Sequence, residues 1–189
     1  MITGRDMVKI ALNLVVIYVI GGLLLTVMYA YTAPIIYKNG IKAKVEALSR
    51  IMPEADTIEK QGSWSIHDHD ADYYQAKKDS ACFGYLIESY GKGYSGYIHV
   101  LIAVDTAIAV KRISILSHTE TPGLGDEIES VPFRDQYVNK TADAMKVIKG
   151  PTTKNIQAIS GATISTRAVT EGAVKPALEF LAATLQGAR

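Results

Sequence analysis

The segment from Ile10 to Ala33 constrains the fold more than any other part of the chain. It carries no charged residue and is mostly apolar. It spans 24 residues, and about 20 are enough to cross the hydrocarbon core of a bilayer as a helix. Arg5 and Lys9 precede the segment, and tyrosines stand at its far end, where aromatic side chains favour the membrane interface. We therefore predict a single transmembrane helix over residues 10–33.

A cleaved signal peptide is the alternative interpretation of this segment. The apolar run is too long for the central region of such a peptide, and no small-x-small cleavage pattern precedes Pro34. We expect the helix to be retained as an anchor after a short tail, residues 1–9.

The residues after Pro34 form a pattern typical of an amphipathic helix. Proline is expected to end or kink the membrane helix, because it lacks a backbone N–H. Apolar side chains then recur at helical spacing, at Ile41, Val45, Leu48 and Met52. We predict a linker helix over residues 34–52, packed mainly on the core of a following domain, with contact to the lipid surface as the lesser alternative.

Residues 53–189 have the size of one ordinary domain. The polar stretch 53–80 indicates a loop-rich region with one short strand. Segments rich in β-branched and aromatic residues predict three strands of an antiparallel meander. The final helix is expected to be bent or interrupted at Pro176. The predicted elements are strands at 63–66, 82–89, 96–104, 107–117 and 145–148, a short helix within 125–138, an extended segment at 155–159, and a helix at 165–185.

Several function classes are excluded or disfavoured by composition. With a net charge of +1 and interspersed acidic and basic residues, the sequence does not show the cluster of basic residues that is typical of nucleic-acid binding. The single cysteine, Cys82, excludes an intramolecular disulfide, and we interpret it as a small buried hydrophobe. The cluster His67-Asp68-His69-Asp70 is typical of a solvated loop, so we predict no metal site. We find no Ser-His-Asp or Cys-His set and predict no catalytic residues.

The glycines Gly91, Gly93 and Gly96 have the spacing of a dinucleotide-binding fingerprint. They join two predicted strands and do not open a helix, which is the context that the fingerprint requires. We interpret them as a turn or bulge.

The stretch from Ser160 to Thr166 carries the chemistry of the chain. Gly161 and Ala162 allow the backbone to approach a bulky group, and Thr163 presents a hydroxyl close to the start of the final helix. A phosphate is favoured at such a helix end. From spacing alone, helix caps are the favoured interpretation of the hydroxyl residues Thr163, Ser165 and Thr166.

This stretch resembles a known motif. Ser160-Gly161-Ala162-Thr163, followed by Ser165 and Thr166, is similar to the flavinylation motif of FMN-binding domains in the G subunit of the Rnf electron-transport complex and in the related C subunit of sodium-translocating NADH:quinone oxidoreductase. The resemblance implies that Thr163 carries FMN through a phosphoester bond. It also places Ser160, Gly161 and Ala162 in the cofactor site. Gln157 is a departure, because the family usually has aspartate there.

A second segment resembles the same family. His118-Thr119-Glu120-Thr121-Pro122-Gly123-Leu124-Gly125 is similar to the family's H-x-E-T-P-G-L-G loop, which lies beside the flavin. The resemblance makes four residues candidates for contacts to FMN. They are Glu120, Thr121, Gly123 and Leu124.

The resemblance covers nearly the whole chain and implies its architecture. The expected fold is α+β: an N-terminal transmembrane helix, then an FMN-binding domain with an antiparallel sheet and flanking helices over 53–189. The implied function is that of a membrane-anchored, covalent-FMN electron-transfer subunit of an Rnf-type ion-translocating ferredoxin:NAD oxidoreductase. Such a subunit belongs to a redox-driven translocase and is not catalytic alone.

The expected partners are other membrane subunits of an Rnf-type complex and a flavin-attaching enzyme, with no nucleic acid. One alternative is the C-type subunit of the quinone oxidoreductase, which usually carries larger insertions than this compact chain. Another is a flavin-free, membrane-anchored binding or scaffold module.

The side of the membrane receives conflicting indications. More Lys and Arg residues follow the apolar segment than precede it, which favours a cytoplasmic domain. The resemblance favours the opposite side, and long domains can be translocated despite flanking charge. We expect a single-pass protein of the cell membrane with an extracytoplasmic domain.

Overall fold

The computed structural model describes residues 4–187. They fall into two compact units, which divide between Ala43 and Lys44. The first unit consists of most of helix α1, Gly4–Ile51. Within α1, the segment Met7–Ile36 has a mean hydropathy of 2.5, and none of its most apolar stretch is buried inside the protein. A long apolar helix with no protein cover is typical of a membrane span.

Helix α1 continues through Pro34, so of the two expected effects of this proline, an end or a kink, the end does not occur. Proline removes one backbone donor, which a long helix tolerates. The side chains of Ile41 and Val45 lie outside the described part. The other two residues of the predicted linker face pack on the domain: Leu48 is half-buried, and Met52, just after α1, is 1% exposed.

Five strands form one antiparallel sheet in which chain neighbours pair, in the order β1-β2-β3-β4-β5. The strands are β1 Thr57–Ile66, β2 His69–Lys78, β3 Ala81–Lys92, β4 Tyr97–Val104 and β5 Val110–Ser117. The predicted meander is confirmed for β3 to β5. Between Lys92 and Tyr97, the glycine-rich segment forms a turn, as expected.

The short strand predicted at 63–66 lies within β1, but the prediction that the rest of 53–80 is loop-rich is wrong, since most of these residues form β1 and β2. Both connections at these strands are two-residue turns with positive φ, His67-Asp68 and Asp79-Ser80. Such turns match the twist of a hairpin but usually contain glycine or asparagine. The histidine and aspartate residues at 67–70 therefore form a hairpin turn and the start of β2, where the His69 ring stacks on that of Tyr90 at 4.6 Å.

Both faces of the sheet are covered. One face packs on the helices of the second unit in the larger core, and the other carries a smaller core with the end of α1. Strand β4 therefore has buried side chains on both sides, which explains its almost continuous apolar sequence. Cys82, at the start of β3, is exposed, so the prediction of a buried cysteine is wrong.

The elements after β5 are short until the C-terminal helices. They are a 3₁₀ helix Gly125–Glu129, α2 Val131–Asp135, a 3₁₀ helix Ala142–Ala144, the parallel pair β6 Val147–Ile148 and β7 Ile156–Gln157, α3 Thr163–Arg167, a π-helix Ala168–Val174, and α4 Lys175–Gly187. The expected interruption of the last helix is this π-helix, which ends two residues before Pro176.

The π-helix lies directly against the sheet. A Cβ added at Gly91 of β3 would lie 1.9 Å from the Ala168 carbonyl oxygen, so only glycine permits this approach. The Ser89 hydroxyl donates to the Ala173 carbonyl at 2.9 Å. Pro176 has no N–H for the Gly172 carbonyl, which instead lies 3.4 Å from the His67 Nε2 atom. These contacts fix the helical segment that begins at Thr163.

A buried carboxylate joins the last turns of α1 to the sheet. The Glu88 side chain is 3% exposed and lies 2.7 Å from the Lys44 Nζ atom and 3.1 Å from the His99 Nε2 atom. Lys44 also pairs with Asp72 at 2.9 Å. Burial favours a neutral Glu88, but the His99 and Lys44 contacts outweigh it and hold its pKa below the ordinary value of 4.5. The Glu88 and Asp72 carboxylates thus stay ionised beside Lys44.

We predict that Lys44→Met destabilises the protein far more than Lys60→Met does. The first change removes one of the cations beside the buried Glu88 carboxylate, whereas Lys60 is half-exposed and, among the described residues, pairs with Asp72 alone. We expect the free energy of unfolding to fall by about 2 kcal/mol in Lys44→Met and by less than about 1 kcal/mol in Lys60→Met. The measurement is urea denaturation of the full chain in detergent, followed by the fluorescence of Trp64, the single tryptophan.

The same cluster predicts a pH dependence. The pKa of Glu88 is lower in the folded state than its ordinary value of 4.5. The ionised side chain therefore makes its full contribution to folding stability above pH 4.5, and this contribution is lost as the pH falls further. The parent should lose stability in this range, and Lys44→Met should lose less. Equal destabilisation by the two lysine changes would contradict the assigned role of Lys44.

Candidate functional site

A cavity of about 350 Å³ lies where the β3–β4 turn, the loop after β5 and the start of α3 meet. This volume falls in the range of small-molecule pockets, about 300–1,000 Å³. Its lining comprises Tyr94, Glu120, Thr121, Leu124, Gly125, Gly161, Ala162, Thr163, Ile164 and Ser165. Three of the apolar side chains remain well exposed at its margin, Tyr94, Leu124 and Ile164. The site therefore combines exposed apolar and aromatic surface with a few polar groups.

The hydroxyl groups around α3 differ in whether they already have partners. The Ser165 hydroxyl is buried and donates to the Glu120 carboxylate. The Thr166 hydroxyl donates to the Ala162 carbonyl at 2.9 Å and accepts the Ile159 N–H at 3.1 Å. Among residues 4–187, the structure records no such bond for the side chains of Ser160 and Thr163. Of these two, only Thr163 lines the cavity.

Thr163 is the first residue of α3, and no side chain caps this helix end. The N-cap position is Ala162, which has no hydroxyl to offer. The alternative interpretation of Thr163, Ser165 and Thr166 as N-caps is therefore wrong. The N–H groups of the first helical turn point toward the N-terminus, where they favour an anion.

The Glu120 carboxylate connects the three segments around the cavity. It lies in the loop after β5, is 5% exposed, and accepts bonds from the Ser165 hydroxyl of α3 and, at 3.0 Å, from the Ser95 N–H of the β3–β4 turn. Burial alone would raise the pKa of Glu120. The bonds from Ser165 and from the Ser95 and Tyr94 N–H groups outweigh burial and lower this pKa. A fixed negative charge therefore borders the cavity.

Two glycines shape this site in different ways. Gly161 has φ +80°, and an added Cβ would lie 2.8 Å from the Leu124 Cδ1 atom, so glycine allows the two segments to touch. Gly123 has φ +73°, but an added Cβ would meet no atom within 4 Å. Gly123 is thus required for the turn of the loop, and close approach of the backbone is not its role.

His118 has a structural role in the same loop. Its Nδ1 atom accepts the Glu120 N–H at 3.1 Å, and its Nε2 atom lies 3.1 Å from a Glu129 carboxylate oxygen. The neutral ring therefore carries its proton on Nε2 and donates it to Glu129. Both ring nitrogens are engaged in shaping the loop that carries Glu120.

The structure brings together most of the residues that the sequence predicts for the site. Those that line the cavity are Glu120, Thr121, Leu124, Gly161, Ala162 and Thr163, whereas Ser160 and Gly123 do not. Sequence reasoning missed Tyr94, Gly125, Ile164 and Ser165 as lining residues. The sequence signal that could have identified Tyr94 is its position as an aromatic residue in a turn, between Gly93 and Ser95. Their roles in ligand binding stay predictions.

The residues present fit FMN. The exposed Tyr94, Leu124 and Ile164 side chains suit the apolar faces of an isoalloxazine ring, while the uncapped start of α3 and the free Thr163 hydroxyl suit a phosphate. The close contact at Gly161 would be lost if a side chain occupied that position. When bound, FMN supplies the redox chemistry, and the protein supplies position and electrostatics.

Known proteins are similar to this chain along most of its length. Residues 93–179 match the FMN-binding domain family. The chain is 36% identical over 168 residues to the G subunit of the proton-translocating ferredoxin:NAD(+) oxidoreductase complex of Clostridium ljungdahlii, covering 88% of this chain and 87% of the relative. It is 28% identical to the G subunit of the ion-translocating oxidoreductase complex of Methanosarcina acetivorans, over 95% of this chain and 97% of the relative.

A solved structure is similar to the fold. The crystal structure of NqrC from Shewanella oneidensis superimposes with a TM-score of 0.51 at 25% identity, over 65% of each chain. This superposition covers a smaller share of the chain than the sequence matches to the two G subunits do. On the extent and identity of the sequence match, the chain belongs to the family of G subunits of Rnf-type ion-translocating ferredoxin:NAD(+) oxidoreductase complexes.

Proposed function

We propose that this protein is a membrane-anchored electron-transfer subunit of an Rnf-type complex, with FMN held in the cavity around Thr163. The observation that carries the proposal is that both family motifs meet in one cavity. The segments that contain Glu120 and Thr163 are distant in sequence, yet the Glu120–Ser165 bond holds them together. Membership of the G-subunit family supports the same function.

The proposed attachment is a phosphoester between FMN and the Thr163 hydroxyl. Ser165 and Thr166 use their hydroxyls within the fold, and Ser160 does not line the cavity. Thr163 alone combines a hydroxyl without a recorded partner among residues 4–187 with a place in the cavity. A covalent bond prevents loss of the cofactor by dissociation, which matters most where free FMN is scarce. A separate flavin-attaching enzyme is the proposed source of this modification.

The chain's own residues perform three tasks in this proposal. The exposed side chains of Tyr94, Leu124 and Ile164 cover apolar ring surface. The helix start at Thr163 favours the phosphate. The ionised Glu120 carboxylate disfavours the addition of negative charge in the cavity, which lowers the driving force for reduction. No general acid, base or nucleophile is required of the chain for electron transfer itself.

The proposed partners are the other membrane subunits of the complex, and the proposed location of the second unit is outside the cytoplasm. The apolar, uncovered segment Met7–Ile36 supports a single membrane span. The exposed cavity margin supports electron exchange, because transfer requires that the flavin edge be accessible to a partner.

Two alternatives are less well supported. A C-type subunit is disfavoured, because the similarity to NqrC covers 65% of each chain, against 88% and 87% for the Clostridium ljungdahlii relative. A flavin-free scaffold module would explain neither the match to the FMN-binding domain family nor the position of the Thr163 hydroxyl in the cavity.

We predict that Thr163→Ala abolishes covalent flavin. The full chain is expressed with a flavin-attaching enzyme, and in-gel flavin fluorescence is measured after denaturation. The parent should fluoresce, Thr163→Ala should not, and Thr163→Ser should retain part of the signal. Ser160→Ala is the matched control, since it removes another hydroxyl without a recorded partner, and it should retain fluorescence at least partly. A folded, membrane-inserted Thr163→Ala protein that still fluoresces would show that the assignment is wrong.

The topology can be tested with the natural cysteine. Cys82 is exposed and is the single cysteine of the chain. We predict that a membrane-impermeant maleimide labels Cys82 in intact spheroplasts. In a Cys82→Ala background, Thr3→Cys should react only after lysis, because the two positions flank the membrane span. Labelling of Cys82 only after lysis would place the domain in the cytoplasm and contradict the proposal.

A further inference from the structure

A second cavity adjoins the proposed flavin cavity. It has a volume of about 360 Å³ and is lined by His67, Lys92, Ile164, Arg167, Ala168 and Gly172. Ile164 lines both cavities, so they lie on either side of one exposed side chain. Three chain segments meet here: the β1–β2 turn, the end of β3 and the start of the C-terminal helices.

Three of the six residues that line this second cavity are Lys, Arg or His, and its described lining includes no acidic residue. The chain as a whole is nearly neutral, with 20 Lys and Arg residues against 19 Asp and Glu residues. None of the ion pairs within residues 4–187 involves Lys92, Arg167 or His67, although most of the acidic groups of the sheet are paired with Lys44, Lys60 or Lys77. An unneutralised group of cations in a concave site attracts an anion.

Arg167 is close to the proposed attachment residue. It lies four positions after Thr163 in α3, so the two side chains share one face of the helix, with Cβ atoms about 5–6 Å apart. Arg167 lines the second cavity, Thr163 lines the first, and Ile164 between them lines both. A guanidinium can bond two phosphate oxygens at once.

We propose that the cavity lined by His67, Lys92 and Arg167 is an anion site that binds a phosphate group of a flavin nucleotide whose ring lies in the neighbouring cavity. This inference rests on the proposed flavin function. The phosphate has two possible sources with the same chemistry. One is the phosphate of FMN itself, and the other is the second phosphate of FAD, which extends beyond the first.

The two charged residues contribute by different geometry. Lys92, the last residue of β3, is exposed and offers a point charge, whereas Arg167 offers a planar pair of donors. The backbone N–H of Lys92 lies near the π-helix, 3.8 Å from a Cβ built at Gly172, so the end of β3 is held beside the helical segment. The cations are therefore placed by the same packing that fixes Thr163.

The test compares three flavins on the full chain, purified in detergent from cells that lack a flavin-attaching enzyme. Riboflavin carries no phosphate, FMN carries one and FAD carries two. Dissociation constants are measured by fluorescence titration for the parent and for a Lys92→Gln/Arg167→Gln variant. The matched control is Lys149→Gln/Lys154→Gln, which removes two charges outside the lining of either cavity.

We expect the Lys92→Gln/Arg167→Gln variant to bind riboflavin like the parent and to lose roughly tenfold in affinity for a phosphorylated flavin. A reduced preference for FMN over riboflavin identifies the first phosphate as the bound group. An intact FMN preference with a reduced preference for FAD over FMN identifies the second phosphate. The control variant should retain both preferences, and salt should weaken them in the parent.

Two outcomes overturn the inference, and they can be told apart. In the first, the Lys92→Gln/Arg167→Gln variant binds riboflavin normally and keeps both preferences, for FMN over riboflavin and for FAD over FMN. This result would contradict the anion site but not the flavin cavity. A parent that binds none of the three flavins overturns the anion site, and it contradicts the proposed function as well only if co-expression with a flavin-attaching enzyme leaves the chain without covalent flavin. An equal loss in the Lys149→Gln/Lys154→Gln control would show that net charge, and not this cavity, causes the effect.

Discussion

The buried Glu120 carboxylate holds together the three chain segments that form the site. It accepts from the Ser165 hydroxyl at the start of the C-terminal helices and from the Ser95 N–H in the β3–β4 turn, while its own loop is fixed by His118. A buried carboxylate is costly unless it is hydrogen-bonded, so these partners are needed together. The arrangement explains why a cavity exists beside Thr163 and why a negative charge borders it.

The position of Thr163 depends equally on how the C-terminal helices pack. Gly91 lets the π-helix backbone reach β3, and Ser89 bonds to its Ala173 carbonyl. Pro176 has no N–H for the Gly172 carbonyl, which lies beside the His67 ring instead. The sheet, the turn at His67 and the helix that begins at Thr163 are therefore one packed unit, and the basic cavity lies at their junction.

Part of this structure could be predicted from the sequence, because some signals are local. The membrane span follows from one apolar run, and β3 to β5 follow from β-branched residues between clear turns. Strand β2 and the first part of β1 escape prediction, because their polar residues alternate weakly and their turns, His67-Asp68 and Asp79-Ser80, lack the usual glycine. The apolar run around Cys82 predicts burial, but this residue lies at the exposed start of a strand. The site was predicted through its motifs, whereas Tyr94 and the basic cavity arise only from tertiary packing.

Peptide mapping of the protein purified from membranes directly tests whether FMN is attached to Thr163. Cleavage after Lys154 and Arg167 yields the peptide 155–167, which contains Ser160, Thr163, Ser165 and Thr166. We expect this peptide to carry the mass of FMN less one water, and fragmentation to localise the increment to Thr163. An unmodified peptide, or an increment localised to Ser160, Ser165 or Thr166, would contradict it.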